Sequence, residues 1–218
     1  MWKRFKSVLL DFLFPRTCFG CQKEGSYLCE DCKATLEISS FHQKANLECF
    51  SDLYFALDYR NPLVQKLIRQ YKYQPFIKEL NKTLASLIIE HFQLIDNQPG
   101  FAGFVLMAVP SEKRRQRWRG FNPAGEIGRN LAEFWKIPLM NGVLLKIKNT
   151  LPQVELSDEE RKENIKGAFV CQLPEKIKGR KILLIDDVFT TGATMLECAR
   201  TLKKSGAKEI IGVVVARG

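Results

Sequence analysis

Ile182-Leu-Leu-Ile-Asp-Asp-Val-Phe-Thr-Thr-Gly-Ala-Thr194 runs from apolar residues through two carboxylates into a turn of small and hydroxyl residues. A short apolar run bounded by turn formers reads as a buried strand, here over residues 181–185. The carboxylates Asp186 and Asp187 stand at its carboxyl end. Thr190, Thr191, Gly192, Ala193 and Thr194 follow as a loop, and a helix is expected over 194–204, stopped by Gly206. In open α/β sheets, ligands bind beyond the carboxyl ends of the strands. The N–H groups and dipole of a helix start hold a phosphate. Threonine hydroxyls add donors, and Gly192 lets the backbone approach the anion closely. Two adjacent carboxylates would repel that phosphate if they faced it. They must face something else, such as sugar hydroxyls, so a phosphorylated sugar satisfies both halves of the run.

Outward from this stretch the text alternates between two periods. Leu53, Phe55 and Leu57 alternate as in a half-buried strand. Leu63, Val64, Leu67, Ile68 and Tyr71 follow at helical spacing, with Lys66, Arg69 and Lys72 off that stripe. Leu80, Leu84, Leu87, Ile88 and Phe92 mark a second helix, and residues 104–109 an apolar strand ended by Pro110. Asn122-Pro123 reads as an N-cap and first-turn proline for a helix through Ile127, Leu131 and Trp135, ending before Pro138. Ser157-x-x-Glu160 is a capping box, and residues 210–215 are a last buried strand. Strands alternating with helices predict an α/β fold, a mostly parallel sheet flanked by helices. It should occupy residues 51–218, with a smaller unit over residues 1–50.

That smaller unit is set by four of the seven cysteines, Cys18-x2-Cys21 and Cys29-x2-Cys32. A two-residue spacer turns both sulfurs of a pair inward, and two pairs complete an all-thiolate tetrahedral site, the usual closed structural zinc site. Gly20 sits inside the first turn, where positive φ is tolerated. Disulfides would need an oxidising compartment. Ahead of the pairs, Phe5, Val8, Leu9, Phe12 and Leu13 fit one face of an amphipathic helix. Asp11 and the sequence Pro15-Arg16-Thr17 argue against a cleaved signal. Cys49, Cys171 and Cys198 stand alone and read as buried thiols.

The 218 residues hold 45% hydrophobic and 27% charged side chains, with 34 Lys and Arg against 24 Asp and Glu, a formal charge of +10. A disordered chain and a membrane-spanning one are both disfavoured by this composition; the positive excess suits an anionic partner. The charge is densest in Lys113-Arg-Arg-Gln-Arg-Trp-Arg119. Five cations and an indole in seven residues can serve a pyrophosphate, a nucleic-acid backbone with Trp118 stacking on an unpaired base, or solvent as an open loop. His42 and His91, the two histidines, read as structural or solvated.

The Ile182 to Thr194 stretch resembles the phosphoribosyl-pyrophosphate signature of type I phosphoribosyltransferases. The rest resembles the ComF (ComFC) branch, the late competence proteins of DNA uptake. The features that carry this likeness are Phe14-Pro15 before the cysteine pairs, Val109-Pro110, Arg119-Gly-Phe-Asn122-x-Ala124, Gln153-x-x-Leu156-Ser157, Glu160-Arg161-x-x-Asn164 and Gly167-Ala-Phe169. Tyr71-Lys72-Tyr73 resembles the branch's Leu-Lys-Tyr element, and only Cys49 stands where many relatives carry a third cysteine pair.

The resemblance implies that Asp186 and Asp187 hold the ribose hydroxyls, in the catalytic position, and that residues 190–194 hold the 5′-phosphate. It implies magnesium with the ligand and zinc at Cys18, Cys21, Cys29 and Cys32. Lys72, Lys113, Arg114, Arg115, Arg117, Trp118 and Arg119 are candidates for pyrophosphate or nucleic acid. A mobile hood over the site would come from residues 113–119 or 140–157. The expected role is a competence protein that binds phosphoribosyl pyrophosphate and single-stranded DNA, in the cytoplasm or at the inner membrane face, beside a DNA-uptake helicase and other competence proteins. Two alternatives are a metabolic phosphoribosyltransferase for a base or amine acceptor, and a DNA-associated adaptor without turnover.

Overall fold

The computed structural model describes residues 15–44, 49–96, 99–148, 150 and 158–218. The expected N-terminal helix, the Gln153 to Ser157 features and the capping serine lie outside the described residues.

Among the described residues, five strands form one sheet in the order β1-β2-β7-β6-β3. They are β1 (Gln43–Lys44), β2 (Asp52–Asp58), β3 (Phe104–Ala108), β6 (Lys181–Phe189) and β7 (Glu209–Arg217). The four long strands are parallel, and β1 runs antiparallel along the β2 edge. The predicted mostly parallel α/β sheet is therefore what the chain forms. Helices α2 (Pro62–Lys72), α3 (Leu80–Leu94) and α5 (Pro123–Trp135) cover one face, where Leu67, Ile68, Leu84, Ile88, Ile127 and Leu131 are buried. Helix α7 (Ala193–Lys204) covers the other with Met195, Cys198 and Leu202. There it is joined by a small antiparallel ribbon, β4 (Leu144–Lys146) with β5 (Phe169–Cys171), and by α6 (Asp158–Ile165). Each fully buried Leu or Ile contributes roughly 1.5–3 kcal/mol.

Several expectations shift at this level. Strand β2 is not half-buried, because Leu53 to Leu57 are buried on both of its faces. In a parallel sheet both faces carry helices, so alternation cannot be read as solvent exposure. Strand β6 runs on through Phe189, so both carboxylates lie within the strand rather than after it. Asn122 starts α5 but makes no side-chain cap bond. Its amide instead donates to the Val109 carbonyl at 3.0 Å and accepts from the Ser111 hydroxyl at 2.9 Å, stitching the end of β3 to the start of α5. Of the three lone thiols only Cys198 is fully buried; Cys49 and Cys171 are half-buried.

The cysteine module is not held at arm's length. Leu28 and Leu36 belong to the same core cluster as α2 and α3. The Lys66 ammonium donates to the Phe19 carbonyl at 2.8 Å, and Lys33 pairs with Glu90 of α3 at 2.7 Å. A five-residue helix, α1 (Glu30–Ala34), carries the last cysteine of the module.

Candidate functional site

The phosphate loop is shaped by one collision avoided. Gly192 has φ +73, and a Cβ there would run into the Phe189 ring. Only glycine takes this left-handed backbone without strain and fits against the ring. Gly192 is also the N-cap of α7 and offers no side-chain cap bond, while the Ala193 N–H reaches Thr191 Oγ1 at a long 3.4 Å. Donors at the start of a twelve-residue helix therefore point into the loop, as an anion site requires. Thr190 is exposed, and Thr191 and Thr194 are half-buried.

Alternation along β6 sends the two carboxylates to opposite faces. Asp187 continues the face of Leu183 and Ile185, toward α2 and α5; Asp186 continues that of Ile182 and Leu184, toward α7. Asp187 is only 3% exposed, and its Oδ1 accepts from the Lys72 ammonium at 2.8 Å. Burial disfavours the Lys72 cation, but Asp187 and Asp186 outweigh it and push its pKa up. Asp186 is half-buried, and one of its oxygens accepts the Asp187 N–H at 2.9 Å. Burial, with the Asp187 charge adding to it, pushes its pKa up to about 7.

A lysine that the sequence does not single out joins this side. Lys146, from the ribbon, donates to Thr150 Oγ1 at 2.6 Å and interacts with Asp186, Glu112 and Arg115. Burial, then Arg115, lowers its pKa. Nothing in the sequence marks it, since strand β4 is three residues long and sits in a stretch without periodicity.

The basic segment is a helix, α4 (Lys113–Arg119), not an open loop; Gly120 ends it with φ 84 and an N–H bond to the Gln116 carbonyl. It follows β3 at the same sheet edge as the carboxylates, where Val109 N–H bonds the Ile185 carbonyl. Arg115 pairs with Glu112 at 3.4 Å, and the remaining cations flank it. Trp118 is 64% exposed and meets the Phe76 ring edge-on at 4.7 Å. Arg119 lies over the same ring at 5.7 Å, and its Nε hydrogen is buried without an acceptor among the described residues. A buried donor of that kind invites an anion. Tyr73, 45% exposed, stands nearby and is legible in the sequence only as part of the Tyr71-Lys72-Tyr73 element. Of the expected hood, residues 140–148 and 150 contribute β4 and its flanks; 151–157 lie outside the described residues.

The four cysteine sulfurs lie within 4.8 Å of one another. Gly20 has an ordinary φ, contrary to the expected positive one; glycine is required there because a Cβ would sit 2.5 Å from Cys32 Sγ. The left-handed turn residues are Gln22 and Gly25. The Cys29 N–H donates to Cys18 Sγ, and the Cys32 N–H to Cys29 Sγ, each at 3.4 Å. Burial opposes the Cys18 thiolate, but N–H groups of Cys29, Cys21 and Gly20 outweigh it and bring its pKa down to about 6. Cys32 is pushed up to about 12, first by the Cys21 thiol and then by burial. Thiols so crowded ionise together only around a cation, so the donor set fits a thiophilic metal.

Both histidines are engaged elsewhere. His91 is buried, with Nδ1 at 2.6 Å from the Ser39 carbonyl, and burial lowers its pKa. His42 lies 3.4 Å from Asp52. No helix among the described residues is long and apolar enough to cross a membrane.

Residues 119–218 match the phosphoribosyl transferase domain family. The chain is 29% identical to competence protein F of Haemophilus influenzae over 202 residues, 88% of this chain and 86% of that protein. It is 30% identical to the DNA utilization protein YhgH of Salmonella typhi over 154 residues, 70% of this chain and 66% of that protein. A solved purine phosphoribosyltransferase from Pyrococcus horikoshii covers 76% of this chain and 87% of its own at 17% identity, with a TM-score of 0.31, too loose a likeness to carry an argument.

Proposed function

With a phosphoribosyl transferase domain over residues 119–218, the chain belongs to the family of competence protein F and the DNA utilization proteins, and we propose that it binds phosphoribosyl pyrophosphate and single-stranded DNA in the uptake of transforming DNA. The observation that carries this is the adjacency of two opposite chemistries at one sheet edge. Asp186 and Asp187 stand at the end of β6, and an uncapped helix start opened by Gly192 follows within a few residues.

Asp186 and the free oxygen of Asp187 accept hydrogen bonds from ribose hydroxyls. The N–H groups at the start of α7, with the threonine hydroxyls of 190–194, donate to the 5′-phosphate. Lys72 orients Asp187 and adds positive charge on the pyrophosphate side, and Arg119 supplies the buried donor. Lys113, Arg114, Arg115 and Arg117 extend that side outward. Magnesium, when bound with the ligand, neutralises the pyrophosphate. As pyrophosphate leaves, the ribose gains positive character at its anomeric carbon, and the carboxylates and cations already in place stabilise the two separating charges. The paired cysteines hold one structural zinc ion. Trp118 offers its exposed face to an unpaired base beside the α4 cations. A reducing, cytoplasmic setting suits four cysteines kept out of disulfides, next to a DNA-uptake helicase and other competence proteins.

The test is isotope-labelled phosphoribosyl pyrophosphate offered with candidate acceptors, single-stranded DNA among them, while ligand binding is followed by calorimetry. Binding without pyrophosphate release leaves a ligand-sensing adaptor. Release with one acceptor defines the transferase. No binding refutes the reading.

A further inference from the structure

The opposite end of the sheet carries a second basic surface. Two turns meet there, Pro174-Glu-Lys-Ile-Lys-Gly-Arg-Lys181 and Lys203-Lys-Ser-Gly-Ala-Lys-Glu209. They are zipped by the Gly179 N–H to the Gly206 carbonyl and the Lys208 N–H to the Arg180 carbonyl, both at 2.8 Å. The first contributes four cations and the second three, against one acid each. Glu209 is already paired with Lys181 at 3.0 Å. Lys176, Lys178, Arg180, Lys203, Lys204 and Lys208 are all exposed. Lys181 and Asp186 are separated by five steps of β6, so this surface stands about 16 Å along the strand from the carboxylates.

Against this basic edge lies a groove of about 580 Å3. Arg180 and Lys136 rim it; Phe101, Phe134, Trp135 and Pro138 are among its walls. Phe134 is 52% exposed, although it sits on a helix whose other aromatic, Trp135, packs against Phe92 and Phe101. Lys181 lies over the Phe104 ring at 5.2 Å, joining the cations to the aromatic wall. The volume falls within the range of small-molecule sites, and Arg180 of the first turn is part of the lining, so the groove opens onto the zipped turns and their exposed cations. An apolar, aromatic trough that meets a cluster of exposed cations at Arg180 matches a polymer that carries flat faces on one side and charges on the other.

We infer that this end of the sheet is a second binding surface for single-stranded nucleic acid, with bases in the Phe134–Trp135 groove and phosphates along the two zipped turns. It is separate from α4 and from the phosphoribosyl site. A strand engaging both surfaces would run the length of the sheet. The inference does not depend on the phosphoribosyl reading, and a protein that bound no sugar phosphate would still carry it.

The experiment is fluorescence anisotropy of a labelled oligothymidine with the full chain, across a salt series, with and without saturating phosphoribosyl pyrophosphate. The variant K178Q/K204Q/K208Q removes only exposed charge from the turns. It should weaken oligonucleotide binding about tenfold or more and reduce the log–log salt slope by about 2, at roughly 0.7 for each phosphate no longer neutralised. Phe134→Ala should weaken binding about fivefold or more with the slope unchanged, and Phe134→Tyr should restore it, since stacking releases no counterions. A duplex of the same length should bind more weakly than the single strand and be insensitive to Phe134→Ala. Affinity for phosphoribosyl pyrophosphate, measured in the same samples, should be unchanged in all three variants. Unchanged oligonucleotide affinity and slope in the triple variant would overturn the inference, as would complete loss of oligonucleotide binding on saturation with phosphoribosyl pyrophosphate. Equal binding of duplex and single strand would overturn it too.

Discussion

Asp186 holds its proton too long for a surface carboxylate, and the sign of that shift sets two expectations. Because its pKa rises to about 7 on folding, the protonated form is the one the fold favours. Its contribution to stability is present below the ordinary carboxylate pKa of about 3.9 and is lost as pH rises through about 7. Asp186→Asn should therefore flatten the fall in melting temperature across that window and leave the variant more stable than the parent at pH 8. For a chain of this size, each kcal/mol relieved is worth roughly 2–4 °C. Affinity for phosphoribosyl pyrophosphate should rise with pH through the same window, because a hydroxyl donates best to the ionised carboxylate, and the asparagine variant should lack that component. Asp187 behaves differently. Its partner Lys72 has a side chain 34% exposed, so Asp187→Asn should cost about 1–3 kcal/mol in a denaturant titration, between exposed and fully buried ion pairs. The doubly substituted protein should remain folded and bind no phosphoribosyl pyrophosphate by calorimetry. Unchanged affinity would mean that the carboxylates have no ligand role. Gly192→Ala forces a Cβ against the Phe189 ring at a positive φ. It should abolish phosphate binding while lowering stability by about 1–3 kcal/mol, the scale of one strained residue.

Among the elements, α4 gives the clearest test of how a cation cluster divides its service. Replacing Arg114, Arg115 and Arg117 by Ala should lower both oligonucleotide affinity and its salt slope, whereas Trp118→Ala should lower affinity by roughly 1–3 kcal/mol per stacked base with little change in slope. Competition between oligonucleotide and phosphoribosyl pyrophosphate at this helix would put both anions on one surface. The elements also show what a sequence can carry. Helix α2 is legible because Val64, Leu67, Ile68 and Tyr71 share one stripe and are all buried. The phosphate loop is legible because its chemistry is local, a strand end, a glycine and a helix start within nine residues. The Lys72–Asp187 pair spans 115 positions, and no local pattern announces it. Lys146 is invisible for the same reason, and α4 reads as a loop because its seven residues bury no apolar face. Period reports burial, and where a helix buries nothing the period is silent.

At the scale of the whole molecule, the four-cysteine module is built into the core that also carries the site. Metal analysis of purified protein should find about one zinc equivalent, the stoichiometry of a single four-thiolate site. Metal-free protein with Cys18–Cys32 or Cys21–Cys29 joined as a disulfide would refute this. The module touches α2 near its start, through Lys66 and through Leu63 beside Gly20. The same helix ends at Lys72 on Asp187. Eleven residues thus span the distance between sulfur and carboxylate, and a helix of that length moves as a rod. Stripping the zinc with a chelator should therefore weaken phosphoribosyl-pyrophosphate binding, although the cysteines lie at the other end of the helix from Asp187; by reciprocity, saturating ligand should raise zinc affinity in a chelator competition. In a cell, oxidants and zinc scarcity both act on thiolates first. With zinc and sugar phosphate bound as proposed, a protein wired this way would release the sugar phosphate as an early consequence of either stress, making the supply of a trace metal a condition on the handling of incoming DNA.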